Sequence, residues 1–276
     1  MINLETLYHG ATLNVYRDEF SRRLRLDQYE GPLDDVVAGF EASAPAWAEK
    51  LIIKSHTKDA GHFLNAGYQK EASIAGYFKG ENMAFLAKYV TPSRRVSRTS
   101  AAAFQLIRDL TDLSPVASAV VPIQHVERSS PDDAEEIASI FASTFPVYPT
   151  PVQDARYVSR TMEQGTCYAH LRENGKIVSV ASAEINETFA NAELTDCASL
   201  SHTQGRGYMK QILSWLEAEL LGRGIRCHYT IARTESLAMN RVFHSLGYTF
   251  GGTMTNNCMI YSGLEDMNVW YKNFGL

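Results

Sequence analysis

The chain is short of cysteine, of long apolar runs and of basic charge, and each shortage removes a class of protein. Its four cysteines, Cys167, Cys197, Cys227 and Cys258, lie about thirty residues apart with no C-x-x-C pair. That spacing offers neither a zinc site nor a disulfide framework, so no metal is expected and a reduced, cytoplasmic compartment fits. No stretch of eighteen apolar residues occurs, and MINLETLYHG carries no signal-peptide hydrophobic region, so no membrane association is expected. Twenty-six Lys and Arg against 31 Asp and Glu give a net charge of −5, where a nucleic-acid binder would carry a basic stripe. The runs Arg22-Arg23-Leu24-Arg25 and Arg94-Arg95 read as solvated surface or local ion pairs. Gly-Lys-Ser/Thr and a full G-x-G-x-x-G are both missing, which removes the P-loop and the dinucleotide fingerprint.

What remains is an ordinary globular composition, 45% apolar and 21% charged over 276 residues. That length buries a real core and suits one large or two small domains.

The most legible stretch runs from Ala192 to Leu221. Polar and apolar residues alternate from Ala192 to Leu200, the period of a half-buried strand. Met209, Ile212, Leu213, Leu216 and Leu220 then fall on one helical face, with Gly222 as a stop. Between them lies Gln204-Gly205-Arg206-Gly207-Tyr208-Met209. A strand feeding a glycine turn into a helix leaves several N–H groups unpaired and backed by the helix dipole. Such a turn cradles an anion and suits a pyrophosphate.

The rest of the chain arranges itself around that stretch. Strands are expected at Glu5 to Asn14, Lys50 to Ser55 and Tyr68 to Phe78, with a helix between Leu33 and Glu49. Phe63-Leu64-Asn65-Ala66-Gly67-Tyr68 matches Phe243 to Tyr248 at an offset of 180, and Glu81-Asn82-Met83 matches Glu265-Asp266-Met267 at 184. These ordered matches suggest a repeated helix and strand pair. Thr91 to Ala119 joins the halves, with a short helix near Ala101 to Leu110. Beyond it come a strand at VVPIQHV, a helix opened by Ser130-Pro131, a second helix over Asp154 to Gln164, and a hairpin at Asn174-Gly175. After the central stretch come a strand at Ile225 to Ala232, a helix at Ser236 to Leu246, and strands at Tyr248 to Met254 and Asn257 to Ser262.

Gln204-x-x-Gly207, preceded by AELTDCAS, resembles the acyl-CoA signature of the GNAT acetyltransferases. The resemblance implies an α/β (α+β) fold: a mixed central sheet flanked by helices, catalytic over residues 119–276, with residues 1–118 a degenerate or partial GNAT-like domain. It implies acetyl-CoA as cosubstrate, held by Cys197, Ala198, Ser199, Gln204, Gly205, Arg206, Gly207, Tyr208 and Met209, with Asn240 and Phe243 contributing from the following helix. Met209 stands where the signature carries Gly or Ala, and Phe243 where many members carry an acidic tyrosine; Tyr248, Tyr229 or water would have to substitute for it. The first copy of the repeat has nothing like Gln204-x-x-Gly207, so one acyl-CoA site is expected.

Acetyl transfer from a thioester to an amine needs a neutral amine. A lysine-type ammonium is neutral in roughly one molecule in 2500 at pH 7, so a base must take its proton. The run Ala192-Glu193-Leu194 resembles the central strand of the histone-acetylating branch and makes Glu193 the expected base, with Asp196 and Glu184 as fallbacks. Backbone amides near Cys197 to Ser199 would meet the oxyanion. Cys197 itself, with no His beside it, reads as a buried small residue.

Ile231-Ala232-Arg233, Met239-Asn240, Asn256-Asn257 and Glu265 to Lys272 together resemble the β-lysine N-acetyltransferases, as do Gly67-Tyr68 and Gly76-Tyr77-Phe78. That implies transfer to the terminal amine of β-lysine, giving the osmoprotectant Nε-acetyl-β-lysine. A diamino acid needs a cation for its carboxylate and acceptors for its ammonium groups; Arg233, Asn257, Glu265 and Asn268 are the expected set. A free small-molecule acceptor, and a second copy of the chain as a possible partner, complete the expectation. Another small amine, a protein lysine, or an inactive acyl-CoA sensor are the alternatives.

Overall fold

The computed structural model describes residues 2–113, 125–261 and 263–275. The first half runs β1 (Ile2–Tyr8), β2 (Ala11–Asp18), β3 (Arg23–Glu30), α1 (Leu33–Ala42), β4 (Lys50–His56), α2 (Ala60–Asn65), β5 (Gln69–Phe78) and β6 (Glu81–Tyr89), and α3 (Ala101–Asp112) follows. The second half runs β7 (Val126–Arg128), α4 (Ala134–Thr144), α5 (Ala155–Glu163), β8 (Cys167–Glu173), β9 (Lys176–Asn186) and β10 (Asn191–Ser199). It ends with α6 (Tyr208–Gly222), β11 (Cys227–Arg233), α7 (Leu237–Ser245), β12 (Thr249–Ile260) and β13 (Gly263–Asn273). The expected strand at VVPIQHV and the boundary at 118/119 fall mostly or wholly outside the described residues.

The thirteen strands among the described residues join one mixed sheet, in the order β1-β2-β3-β4-β6-β5-β12-β13-β11-β10-β9-β8-β7. Only β3–β4 and β10–β11 pair in parallel among the described strands, and each of these pairs is joined through a helix, α1 or α6, as a parallel crossover requires. Helices α6 and α7 cover one face of the second half, where Leu213, Leu216, Leu220 and Phe243 pack with Trp270. Helices α4 and α5 cover the other face, setting Ile137, Phe141 and Val158 against Tyr168, Val180 and Ala198. In the first half Val36, Phe40 and Phe63 pack on Leu13, Leu24 and Leu86.

The observed elements differ from the sequence expectation at five places. Glu5 to Asn14 is not one strand but parts of two, because the turn at His9-Gly10, with His9 at φ 49°, breaks it. β3 (RLRLDQYE) was hidden by its charges, and β13 (GLEDMNVWYKN) by the polar pair Glu265-Asp266 and the run Val269-Trp270-Tyr271, which break the alternation. Helix α1 stops at Ala42, ahead of Pro45, rather than running to Glu49. The two strands expected over Tyr248 to Ser262 are a single bent strand, β12, whose bulges absorb the break.

The two halves share a pairing pattern. β5 and β6 slip register between Lys70 and Ala72 and again between Ile74 and Phe78. β12 and β13 slip between Phe250 and Gly252 and again between Met254 and Cys258, each position 180 residues further on. Their partners on β6 and β13 keep the offset of 184: Leu86 and Trp270, Phe85 and Val269, Met83 and Met267, Glu81 and Glu265.

β5 and β12 meet at the centre of the sheet, with Gly252 opposite Ala72. A Cβ on Gly251 would lie 2.3 Å from the Ser73 carbonyl oxygen, and one on Gly252 2.3 Å from that of Glu71. Gly252 also sits at φ +135°, a conformation that glycine alone adopts readily. Around this seam Ile52, Ile74, Tyr77 and Phe85 of the first half pack with Tyr229 and Val269 of the second. Lys50 Nζ donates across it to the Thr255 carbonyl at 2.7 Å, and Asn191 Nδ2 to the Tyr77 carbonyl at 2.9 Å.

Candidate active site

β10 and β11 pair only at Asn191–Cys227, Ala192–His228 and Glu193–Tyr229, and diverge beyond them. A bulge at Asp196, whose φ is 49°, follows on β10. The divergence opens a cleft of about 600 Å³ with Thr195, Asp196, Cys197 and Ser199 on one side and Thr230 to Arg233 on the other. The β10 backbone beyond Glu193 has no partner on the β11 side, so its polar groups are available to a ligand.

The glycine turn lies at one end of this cleft. Gln204, Gly205, Gly207, Tyr208 and Met209 line it. Gly205 and Gly207 adopt φ of +80° and +79°, and Gly207 caps α6. The first helical donor is Gln211, whose N–H reaches the Gly207 carbonyl, so the amides of Tyr208, Met209 and Lys210 precede the helical ladder. Met209 packs its side chain into the α6 core, which explains how the turn tolerates it there. Lys210 and Arg241 also line the cleft and bring two cations that sequence reasoning missed. Amides at a helix start, two cations and a wall including Ile231, Met239 and Phe243 suit the phosphates and apolar arm of coenzyme A.

Several expected coenzyme contacts lie elsewhere. Arg206 turns away to pair with Glu173 at 2.9 Å, and Tyr208 Oη donates to the same carboxylate. Ala198 is buried under α4. Asn240 does not line the cleft: Nδ2 donates to the Arg233 and Ser236 carbonyls at 2.9 Å each. Its Oδ1 accepts from Asn268 Nδ2 at 2.9 Å and Trp270 Nε1 at 2.8 Å, so the whole amide ties α7 to β11 and β13. Phe243 does line the cleft, stacked edge-on against Tyr248, which is itself core. Tyr248 therefore cannot replace the missing acid. A tyrosine that sequence reasoning passed over does reach the cleft: Tyr148, between α4 and α5.

Asp196 is buried and accepts from Ser182 Oγ at 2.8 Å and from Tyr148. Burial raises its pKa and those two hydrogen bonds oppose the rise. Burial, then the Asp196 charge, push the Cys197 thiol well up, which leaves it a thiol rather than a nucleophile.

Glu193 lines a second cavity, of about 260 Å³, whose β10 and β11 residues, Glu193 and Tyr229, come just before Thr195 and Thr230 of the cleft. Glu184 and Tyr229, its cross-strand neighbours, line the same cavity. The opposite wall comes from the first half of the chain: Asn14, Arg25, Asp27, Lys54 and Tyr77. Burial raises the Glu193 pKa, against Lys54, Arg25 and a hydrogen bond with Tyr229. Burial, then the Glu193 and Asp196 charges, raise that of Glu184. Two carboxyls on adjacent strands thus hold a proton above the ordinary carboxylate range.

The expected acceptor contacts do not gather here. Arg233 is held by Glu265 in a two-point ion pair at 2.6 and 2.8 Å, under the Tyr261 ring, and lines the coenzyme cleft. Asn268 is buried among Asn240, Thr234 and Thr253, and Asn257 is buried beside Cys258. The Asn268 amide is engaged within the fold, a role that spacing does not separate from binding.

The family model of the acetyltransferase (GNAT) family matches residues 134–248. The N-acetyltransferase YodP of Bacillus subtilis is 30% identical over 95% of this chain and 96% of its own. The beta-lysine N(6)-acetyltransferase of Methanosarcina mazei is 30% identical over 81% of this chain and 90% of its own. A crystal structure of the ribosomal-protein-S18-alanine N-acetyltransferase of Escherichia coli covers 55% of this chain and 94% of its own, at 18% identity and a TM-score of 0.48.

Proposed function

We propose that this chain, which belongs to the acetyltransferase (GNAT) family, moves the acetyl group of acetyl-CoA to the terminal amine of free β-lysine. Acyl-CoA-dependent acetyl transfer comes with the family; the acceptor and the residue roles are our reading. The observation that carries it is the small charged cavity at Glu193, next to the cleft that suits coenzyme A. A protein lysine needs an open groove, whereas a cavity walled by both halves of the chain favours a free amino acid. The Methanosarcina mazei relative, named for β-lysine acetylation, supports the same acceptor.

Acetyl-CoA supplies an activated acetyl thioester. In this reading the amides of Tyr208, Met209 and Lys210, with the Lys210 and Arg241 side chains, hold its phosphates. The unpaired amides of β10 beyond Glu193 offer donors for the charge that develops on the acetyl oxygen. Glu193 takes the proton of the incoming ammonium, and its raised pKa brings it closer to that task at neutral pH. Tyr148, hydrogen-bonded to Asp196, is the hydroxyl nearest in role to the acid that Phe243 does not provide. Acetylation removes one of two ammonium charges and leaves a neutral zwitterion, a property suited to an osmoprotectant.

Acetyl-CoA-dependent thiol release tests the reading, with β-lysine, α-lysine, spermidine and a lysine peptide offered in parallel. Turnover should be fastest with β-lysine. Faster turnover of any other acceptor, or release with none, overturns it.

A further inference from the structure

The first half of the chain has no counterpart of the coenzyme turn, yet its strands reach the cavity that holds Glu193. Following the pairing shows which residue it brings. In the second half Glu193 pairs with Tyr229, and Tyr229 with Tyr271. In the first half Arg25 pairs with Ile52, and Ile52 with Ala87. Ala87 and Tyr271 are related by the same offset of 184 as the four pairs at the bulges. Arg25 therefore stands in β3 where Glu193 stands in β10, and both line one cavity.

The surroundings of Arg25 are those of an anion site. Asp27 grips its guanidinium at two points, 2.6 and 3.0 Å, and Tyr16 lies against it with the ring centroid 4.7 Å away. Lys54 Nζ lies 3.1 Å from Asp27 Oδ1 and donates to Tyr77 Oη at 3.1 Å. Two cations share one anion, which orients them and leaves one net positive charge. A guanidinium carries five N–H donors and Asp27 occupies two, so the fork keeps donors for a second carboxylate. Across the cavity Glu184 and Glu193 offer the opposite charge, and Asn186 and Asn191 neutral partners.

We propose that the first half of the chain is a repeat of the acetyltransferase fold recast as the carboxylate-binding half of the acceptor site, with Arg25 and Lys54 holding the acceptor's carboxylate while its amines face Glu184 and Glu193. The proposal rests on the acetyl-transfer reading above and adds the substrate class: an amino acid with a free carboxylate, not a polyamine. It also gives the chain a reason to keep a half without a coenzyme site.

The test compares β-lysine with its carboxamide, which keeps both amines and loses the charge. With the parent enzyme the carboxamide should show a KM about 10- to 100-fold higher, the range of a charge-assisted hydrogen bond. Arg25→Gln should raise the KM for β-lysine by a similar factor and leave that for the carboxamide and for acetyl-CoA within about threefold. Lys54→Met, which leaves the Arg25–Asp27 pair in place, should act in the same direction. Equal KM for acid and amide in the parent enzyme overturns the proposal while leaving acetyl transfer intact. An Arg25→Gln loss equal for both acceptors also overturns it, as a purely structural effect. No turnover of either acceptor overturns the underlying reading and this proposal with it.

Discussion

Arg25 and Glu193 carry opposite charges at equivalent positions of two strand arrangements and face one cavity. Their charges also interact, since Arg25 opposes the upward shift of Glu193. Removing either one changes the other, so the acceptor site is a single electrostatic unit built from both ends of the chain.

Glu193→Gln keeps the shape of the side chain and removes the base. The expected loss in kcat is about 10²- to 10⁴-fold at neutral pH, the usual worth of a positioned base, with the KM for acetyl-CoA within a few-fold. Steady-state kinetics with each substrate varied separates the two. An unchanged kcat would remove Glu193 from the proton transfer.

The pH profile should report the same carboxyl pair. Glu193 faces Glu184, Asp196 and Tyr229 and the cations Lys54 and Arg25, and the net direction is upward. kcat/KM should fall with acid pH on a limb lying above the ordinary carboxylate value of about 4.3. In Glu193→Gln that limb should flatten. A parent limb at the ordinary value would contradict the upward shift of Glu193.

Glu184 ties pH to stability. Although its side chain is exposed at the cavity's edge, desolvation there, then the Glu193 and Asp196 charges, raise its pKa in the folded chain, which therefore binds that proton more tightly than the unfolded chain. The stabilisation is complete below the unfolded value and is lost as pH rises through the folded one. Glu184→Gln should therefore gain stability relative to the parent as pH moves from 5 to 9, read by chemical denaturation at each pH.

Gly252→Ala tests the seam between the halves. The added Cβ meets the Glu71 carbonyl at 2.3 Å in a backbone conformation of φ +135°. A loss of at least about 3 kcal/mol is expected, since strain and overlap with fixed backbone act together. Equilibrium denaturation measures it, and a change under about 1 kcal/mol would show that the seam relaxes.

Asn240→Ala distinguishes a structural amide from a coenzyme contact. It leaves the buried donors Trp270 Nε1 and Asn268 Nδ2 without their acceptor, at about 1–3 kcal/mol each. Stability should fall while the KM for acetyl-CoA stays within about threefold. A KM increase at full stability would restore Asn240 to the coenzyme site.

The sequence by itself determined whatever depends on neighbours in the chain. The alternation of Ala192 to Leu200, the two glycines and the apolar face of α6 fixed strand, turn and helix, because each follows from local backbone and side-chain periodicity. Repeated residues at offsets of 180 and 184 carried the likeness of the halves, since the bulges they flank impose the same spacing twice. Only the tertiary structure decided which polar residues serve the site. Asn240 and Asn268 looked available in the sequence, and their amides are engaged by partners 4 to 34 residues away. Arg25, read as solvated surface or a local ion pair, and Lys54, which the sequence did not single out, line a cavity, because the sheet brings β3 and β4 to face β9 and β10. Contacts between residues more than a hundred positions apart leave no periodic trace, and it is those contacts that build the acceptor cavity.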